Sequence, residues 1–210
     1  MSDSTESIAG LFRAIRDGDQ AAQARILERF APWLRLMARL QTGAAGQGKF
    51  DSSDIAQQTL LEACRGLPGF LGNTEPELLA WLRQILAHVL AHEVRRYRGT
   101  RRRDMAREVS LEQSLAQSSL RLGAMLADGG PSPSRQASAR EQEVVLADVL
   151  ARLPADYQEV IVLRNLQELP HEEVARRMGR SVGAVRMLWV RALAQLRAEL
   201  LISSHGRSAL

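Results

Sequence analysis

"HEEVARRMGRSVGAVRMLWV", residues 171 to 190, decides how the C-terminal part of this chain folds. It reads as two helices around a tight turn. Val174 and Met178 recur at helical spacing and are expected to face inward, and Ala175 is small where a second helix must cross close. Gly179 stands where a left-handed turn residue is needed. Ser181 is placed to cap the helix that follows, and Val185 and Leu188 return to the core. Small, turn, then apolar at these offsets is the pattern of a helix-turn-helix. An ordinary αα-corner is the plainer alternative.

Charge separates the two. From Arg176 to Glu199 there are six Arg and one acid, whereas Glu141 to Glu173 holds eight acids against Arg152 and Arg164. Positive charge gathers on the half that would face a phosphate backbone. Gly183 and Ala184 leave the start of the second helix thin, which lets backbone approach base edges. Arg186 and Met187 are the expected base contacts, with Arg180 and Arg191 on phosphates. Met187 fits equally well as a partly buried packing residue.

Working outward, the 210 residues suffice for one large domain or two small ones. Aromatics are only 4% against 45% apolar residues, and Ala, Leu, Arg, Gln and Glu outnumber the β-branched types. The fold class is therefore all-α. Lys49 is the only lysine among 28 basic residues. That bias suits phosphates and guanine edges, and it equally suits a GC-rich genome. Cys64 is alone, which excludes a disulfide framework, and it is expected to be inert core. No signal peptide or membrane span is expected, which places the protein in the cytoplasm.

Residues 1–7 are polar. A first helical domain is expected over 8–112, with Asp19 as a cap, a bend at Pro32, a loop over 42–48, a Ser or Asp cap near 51–54, and a long helix over about 76–107. "QSLAQSSLRLGAMLADGGPSPSRQAS", residues 113–138, reads as a flexible linker with at most short helical turns. A second small domain follows over 139–200, then a tail over 201–210. Its helices are expected over 141–152 and 155–167, ahead of the helix-turn-helix.

The long helix ends in "HEVRRYRGTRRRD", 92–104, where Arg95, Arg96, Arg98, Arg101, Arg102 and Arg103 would repel one another in isolation. A polyanion partner relieves that, and Trp81 and Tyr97 interleave aromatics as single-strand stacking requires. Trp81 reads equally as core. His88 and His92, at i and i+4, are half a zinc site without the other half, so no metal is expected. "DSSDIAQQTLLEACRGLPGF", 51–70, sets Asp54, Gln57, Gln58 and Leu61 on an exposed strip, a partner surface of unspecified kind.

Taken in order, "DIAQQTLLEA", "F", "AWLRQIL", the basic run, a linker and "LPADYQEVIVLRNLQELPHEEVARRMGRSVGAVR" resemble regions two and four of bacterial sigma factors. The similarity is to the extracytoplasmic-function (ECF) group of the sigma-70 family, over about 8–110 and 139–200. The resemblance implies an alternative sigma factor that recruits core RNA polymerase to promoter DNA. It implies no enzymatic activity, no cofactor and no small-molecule substrate, and often an anti-sigma partner. It implies polymerase docking through Asp54, Ile55, Gln57, Gln58 and Leu61. It implies minus-ten recognition and melting by Leu71, Gly72, Asn73, Thr74, Trp81, Arg83, His88, His92, Arg95 and Arg96. It implies minus-thirty-five reading by Arg180, Ser181, Gly183, Ala184, Arg186, Met187, Val190 and Arg191. Gln58, His88, His92, Pro170 and Ala184 depart from the residues common in the family. A stand-alone helix-turn-helix regulator with a sensory helical domain is the second reading, and an enzyme with an incidental basic surface the third.

Overall fold

The computed structural model describes residues 7–44, 51–98, 104–124 and 133–208, and every regular element in them is helical. The chain divides into two compact units, residues 1–117 and 118–210. No helix among the described residues is long and apolar enough to cross a membrane.

In the first unit, α1 (Ile8–Arg16) starts on Ser7, whose hydroxyl accepts from the Gly10 amide. Gly18, with φ +90°, lets the chain reverse before Asp19. The Asp19 carboxylate accepts from the amides of Ala21 and Ala22 and so caps α2 (Gln20–Ala44). Pro32 lies inside α2, which continues through it and into the stretch expected as a loop. Asp51 accepts from the Ser53 amide and starts α3 (Ser52–Gly66). A short 3-10 turn, Leu67–Gly69, leads to an extended segment and then α4 (Glu75–Arg98).

The core of this unit lies where α3 packs against both α2 and α4. Ile26, Phe30, Trp33, Leu34 and Met37 of α2 meet Ile55, Ala56 and Ala63 of α3 and Leu78, Leu82 and Leu86 of α4, all buried. Thr59, also buried, returns its hydroxyl to the Ile55 carbonyl at 2.7 Å, so that hydroxyl is satisfied, whereas the buried Trp33 indole N–H has no partner among the described residues. Arg29 donates to Glu75 at 2.6 Å, an ion pair at the edge of the core with the Glu75 side chain only 9% exposed.

α5 (Asp104–Ala124) and α6 (Pro133–Arg152) run through much of the segment expected as a linker. The reason is visible along α5. Leu115 and Leu122 are buried at helical spacing, and Ser118 and Ser119 are small enough to be buried between them. Ser114 donates to Gln41 at 3.1 Å within the first unit, whereas Arg121 donates to the Leu166 carbonyl at 3.2 Å within the second. The division between units therefore falls inside a helix. Pro133 opens α6, a position where its missing N–H costs nothing.

In the second unit, α6, α7 (Ala155–Ile161) and α8 (His171–Met178) all pack on α9 (Val182–Ser208). α7 ends in a wider π-type turn, Val162–Leu166, in which one extra residue enters the helix. α9 runs on to Ser208, into the stretch expected as a tail, and passes through Gly206 on the way. Cys64, expected in the core, is exposed. The buried side of α3 is Ile55, Ala56, Thr59 and Ala63, and Cys64 lies just past it.

Candidate nucleic-acid interface

The turn between α8 and α9 has the geometry expected from sequence. Gly179 adopts φ 63°, ψ 33°, and the Arg180 amide donates back to the Ala175 carbonyl at 3.0 Å. The Ser181 hydroxyl accepts from the Ala184 amide at 3.2 Å and starts α9. Val185, Ala192 and Leu196 of α9 are buried against the unit, together with Val174 and Ala175 of α8. Met178 and Leu188, expected to be core residues, are half-buried.

The opposite side of α9 presents Gly183, Ala184, Arg186, Met187, Val190 and Arg191, all exposed. Met187 is thus a surface residue and not a packing one, at 55% exposure. A Cβ placed on Gly183 would meet no atom within 4 Å, so nothing in the unit requires a glycine there.

Sequence reasoning missed what fixes the orientation of this helix. Trp189 donates its indole N–H to the Asn165 side chain at 2.9 Å. Arg164 lies over the Trp189 ring at 6.0 Å, and His171 meets it edge-on at 5.5 Å between centroids. Asn165 and Arg164 both sit on the π-type turn, and a polar pair in an apolar run was their only signal in sequence. Burial, then Arg164 and Arg186, hold His171 below the usual imidazole range.

The arginines of this half are not idle. Glu173 accepts from Arg177 at 2.9 Å and from Arg176, and these bonds hold its carboxyl below the usual range. Arg180 pairs with Asp156, and Arg186 lies 3.8 Å from Glu172. The acids counted before Glu173 thus fold back onto the basic stretch.

In the first unit, the segment from Phe70 to Thr74 forms a second exposed element. Leu71 is 89% exposed. Its neighbours are held firmly. Glu77 accepts from the amides of Asn73 and Thr74 and from the Thr74 hydroxyl, bonds that lower its pKa, the Asn73 bond most. Arg16 donates to the Gly72 carbonyl and the Asn73 side chain. Gly72 also has a steric role, since a Cβ there would fall 2.3 Å from the Phe70 ring. Phe70 in turn packs against Phe12 at 5.3 Å and Trp81 at 5.1 Å. Trp81 is half-buried, with one face in this cluster, so it is neither wholly core nor wholly surface.

Along α4, His88, His92 and Arg96 are exposed and Arg83 and Arg95 half-buried. Glu93 lies 3.6 Å from His92 and 3.8 Å from Arg96. Among the described residues no group of three metal-capable side chains forms. Arg101, Arg102 and Arg103 lie outside the described residues, as do the side chains of Tyr97 and Arg98. On α3, Asp54, Gln57, Gln58 and Leu61 are exposed, but Ile55 is buried at 3%. It faces the core between α2 and α4 and does not join the exposed strip.

A family model described as sigma-70, region 4 matches residues 143–196, from the second half of α6 to the middle of α9. Over 183 residues the chain is 29% identical to the ECF RNA polymerase sigma factor SigD of Mycobacterium tuberculosis, covering 87% of this chain and 79% of SigD. Over most of its length the chain is similar to ECF sigma factors. It is also 29% identical to the sigma factor NccH of Alcaligenes xylosoxydans xylosoxydans, over 90% of this chain and 92% of NccH. With YlaC of Bacillus subtilis it shares 28% over 71% of this chain and 77% of YlaC. At 183 of 210 residues, the similarity to SigD extends over parts of both units.

Proposed function

We propose that the chain is an ECF sigma factor that binds core RNA polymerase through the first unit and selects promoters with both units. In this reading α9 enters the major groove of the minus-thirty-five element. The observation that carries it is the outer face of α9. Arg186 and Arg191 stand exposed, and Gly183, one turn before Arg186, is too small to hold the start of the helix away from DNA. Arg186 suits the O6 and N7 acceptors of guanine, and Arg191 suits a phosphate. Asp54, Gln57, Gln58 and Leu61 form the polymerase-docking strip on α3, without Ile55. Leu71 to Thr74, with Trp81, engage the minus-ten element, where Leu71 is free to enter an opened strand and Arg16 and Glu77 keep the loop in shape. The residues named along α4 face the same promoter region. Polymerase supplies the chemistry, and the protein acts in the cytoplasm beside it.

Run-off transcription with reconstituted core polymerase on a promoter library tests this. The expected result is initiation at a small promoter set, with little binding of duplex promoter by the protein alone. Arg186→Ala should weaken promoter use by about 1–3 kcal/mol and relax preference upstream. Tight binding to an operator without polymerase would instead mark a stand-alone regulator.

A further inference from the structure

The outer face of α9 is apolar at its centre. Met187 and Val190, three residues apart and hence neighbours on the helix, are 55% and 54% exposed. Arg186 and Arg191 lie on either side of them in sequence, both exposed. On the inner side, burial of Val185, Ala192 and Leu196 and the hydrogen bond from Trp189 to Asn165 fix the roll of the helix. The apolar pair therefore cannot rotate into the core. Two adjacent apolar side chains gain by leaving water, and the guanidinium groups around them select a polyanionic surface as their cover. In the major groove the apolar feature on offer is the C5-methyl group of thymine.

We propose that Met187 and Val190 read thymine methyl groups within the minus-thirty-five element, so that this factor prefers thymine at the positions facing them. The proposal rests on the promoter-reading role of α9 given above. It adds a chemical class of contact, apolar methyl recognition, to the guanine contact expected of Arg186.

Holoenzyme assembled from the full chain and core polymerase first selects minus-thirty-five sequences from a library randomised upstream. Each thymine of the selected element is then replaced by uracil, which removes the methyl group and leaves the pairing edge intact. At one or more positions uracil should lower holoenzyme binding about fourfold, the equivalent of one buried methyl group. The Met187→Ala, Val190→Ala double variant should lose that sensitivity, whereas Arg186→Ala should keep it. Met187→Leu with Val190→Ile, which keeps the face apolar, should restore it, and circular dichroism melting checks that each variant is folded. If every thymine tolerates uracil, or the selected element lacks thymine while still depending on Arg186, the methyl contact is refuted and the promoter-reading role stands. If the double variant instead binds core polymerase more weakly while the holoenzyme it still forms keeps its uracil sensitivity, the cover is a protein surface and the proposal fails. Absence of any upstream selection overturns both.

Discussion

Gly183→Ala separates what the fold wants from what promoter reading wants. Gly183 lies in the first turn of α9, and a Cβ there would meet nothing within 4 Å. Alanine should stabilise the helix, since glycine in a helix costs roughly 0.5–1 kcal/mol relative to alanine. Near a helix start the lower end applies, about 0.5 kcal/mol. Gly179 is the control. A Cβ there also meets nothing within 4 Å, but φ is +63°, so Gly179→Ala carries pure backbone strain of about 1–2 kcal/mol. Two glycines with equally open surroundings should thus respond with opposite signs. Native-state hydrogen exchange of α9 amides reads the second unit without assuming a single unfolding transition for the chain. About 0.5 kcal/mol corresponds to roughly twofold slower exchange in Gly183→Ala. In run-off assays the same variant should initiate several-fold less from promoters that depend on the minus-thirty-five element. A stabilised variant with unchanged promoter use would refute the claim that α9 is thin there to admit DNA. Loss of stability would refute the helical placement of Gly183.

Arg29→Ala should destabilise the first unit by about 1–3 kcal/mol, because it strips the mostly buried Glu75 carboxylate of its 2.6 Å partner; thermal melting checks this. Glu77 has a pKa held below its unfolded value by bonds from Asn73 and Thr74. Its stabilising contribution is therefore present above the unfolded carboxylate pKa and is lost as pH falls through the folded one. Glu77→Gln should flatten the acid limb of the stability profile and change the neutral region less. Asn165→Leu leaves the Trp189 indole N–H without its 2.9 Å acceptor and should cost about 1–2 kcal/mol, read as faster exchange in α9.

Local chemistry made much of this legible in sequence. Asp19, Asp51, Ser181 and Gly179 each act on amides or dihedrals within a few residues, so their caps and turn follow from the chain alone. The outer face of α9 was legible in part: helical periodicity assigns Val185 to the core and Arg186 to the surface, whereas Met187 fitted either side until its exposure placed it outside. The segment over 113–138 was misread because Ser, Gly and Pro composition outweighed the spacing of Leu115 and Leu122. Contacts between distant residues left no local trace. Trp189 reaches Asn165 across 24 positions and Arg16 reaches Gly72 across 56, and no periodicity encodes either pairing. Ile55 shows the limit of borrowing a strip whole, since one residue in that strip belongs to the core.

The carboxylates folded back onto the basic half change the ion balance of any encounter with DNA. Arg176 and Arg177 share Glu173, Arg180 holds Asp156, and Arg186 neighbours Glu172. A phosphate that takes one of these arginines leaves a carboxylate behind, which then collects a cation from solution. Counterions released from the duplex are partly recaptured by the protein. The fall of affinity with salt should therefore be shallower than the number of arginines on this half implies. Association becomes an exchange of anions around fixed guanidinium groups, with a smaller reward for contacting phosphate alone and a larger relative weight for the bases.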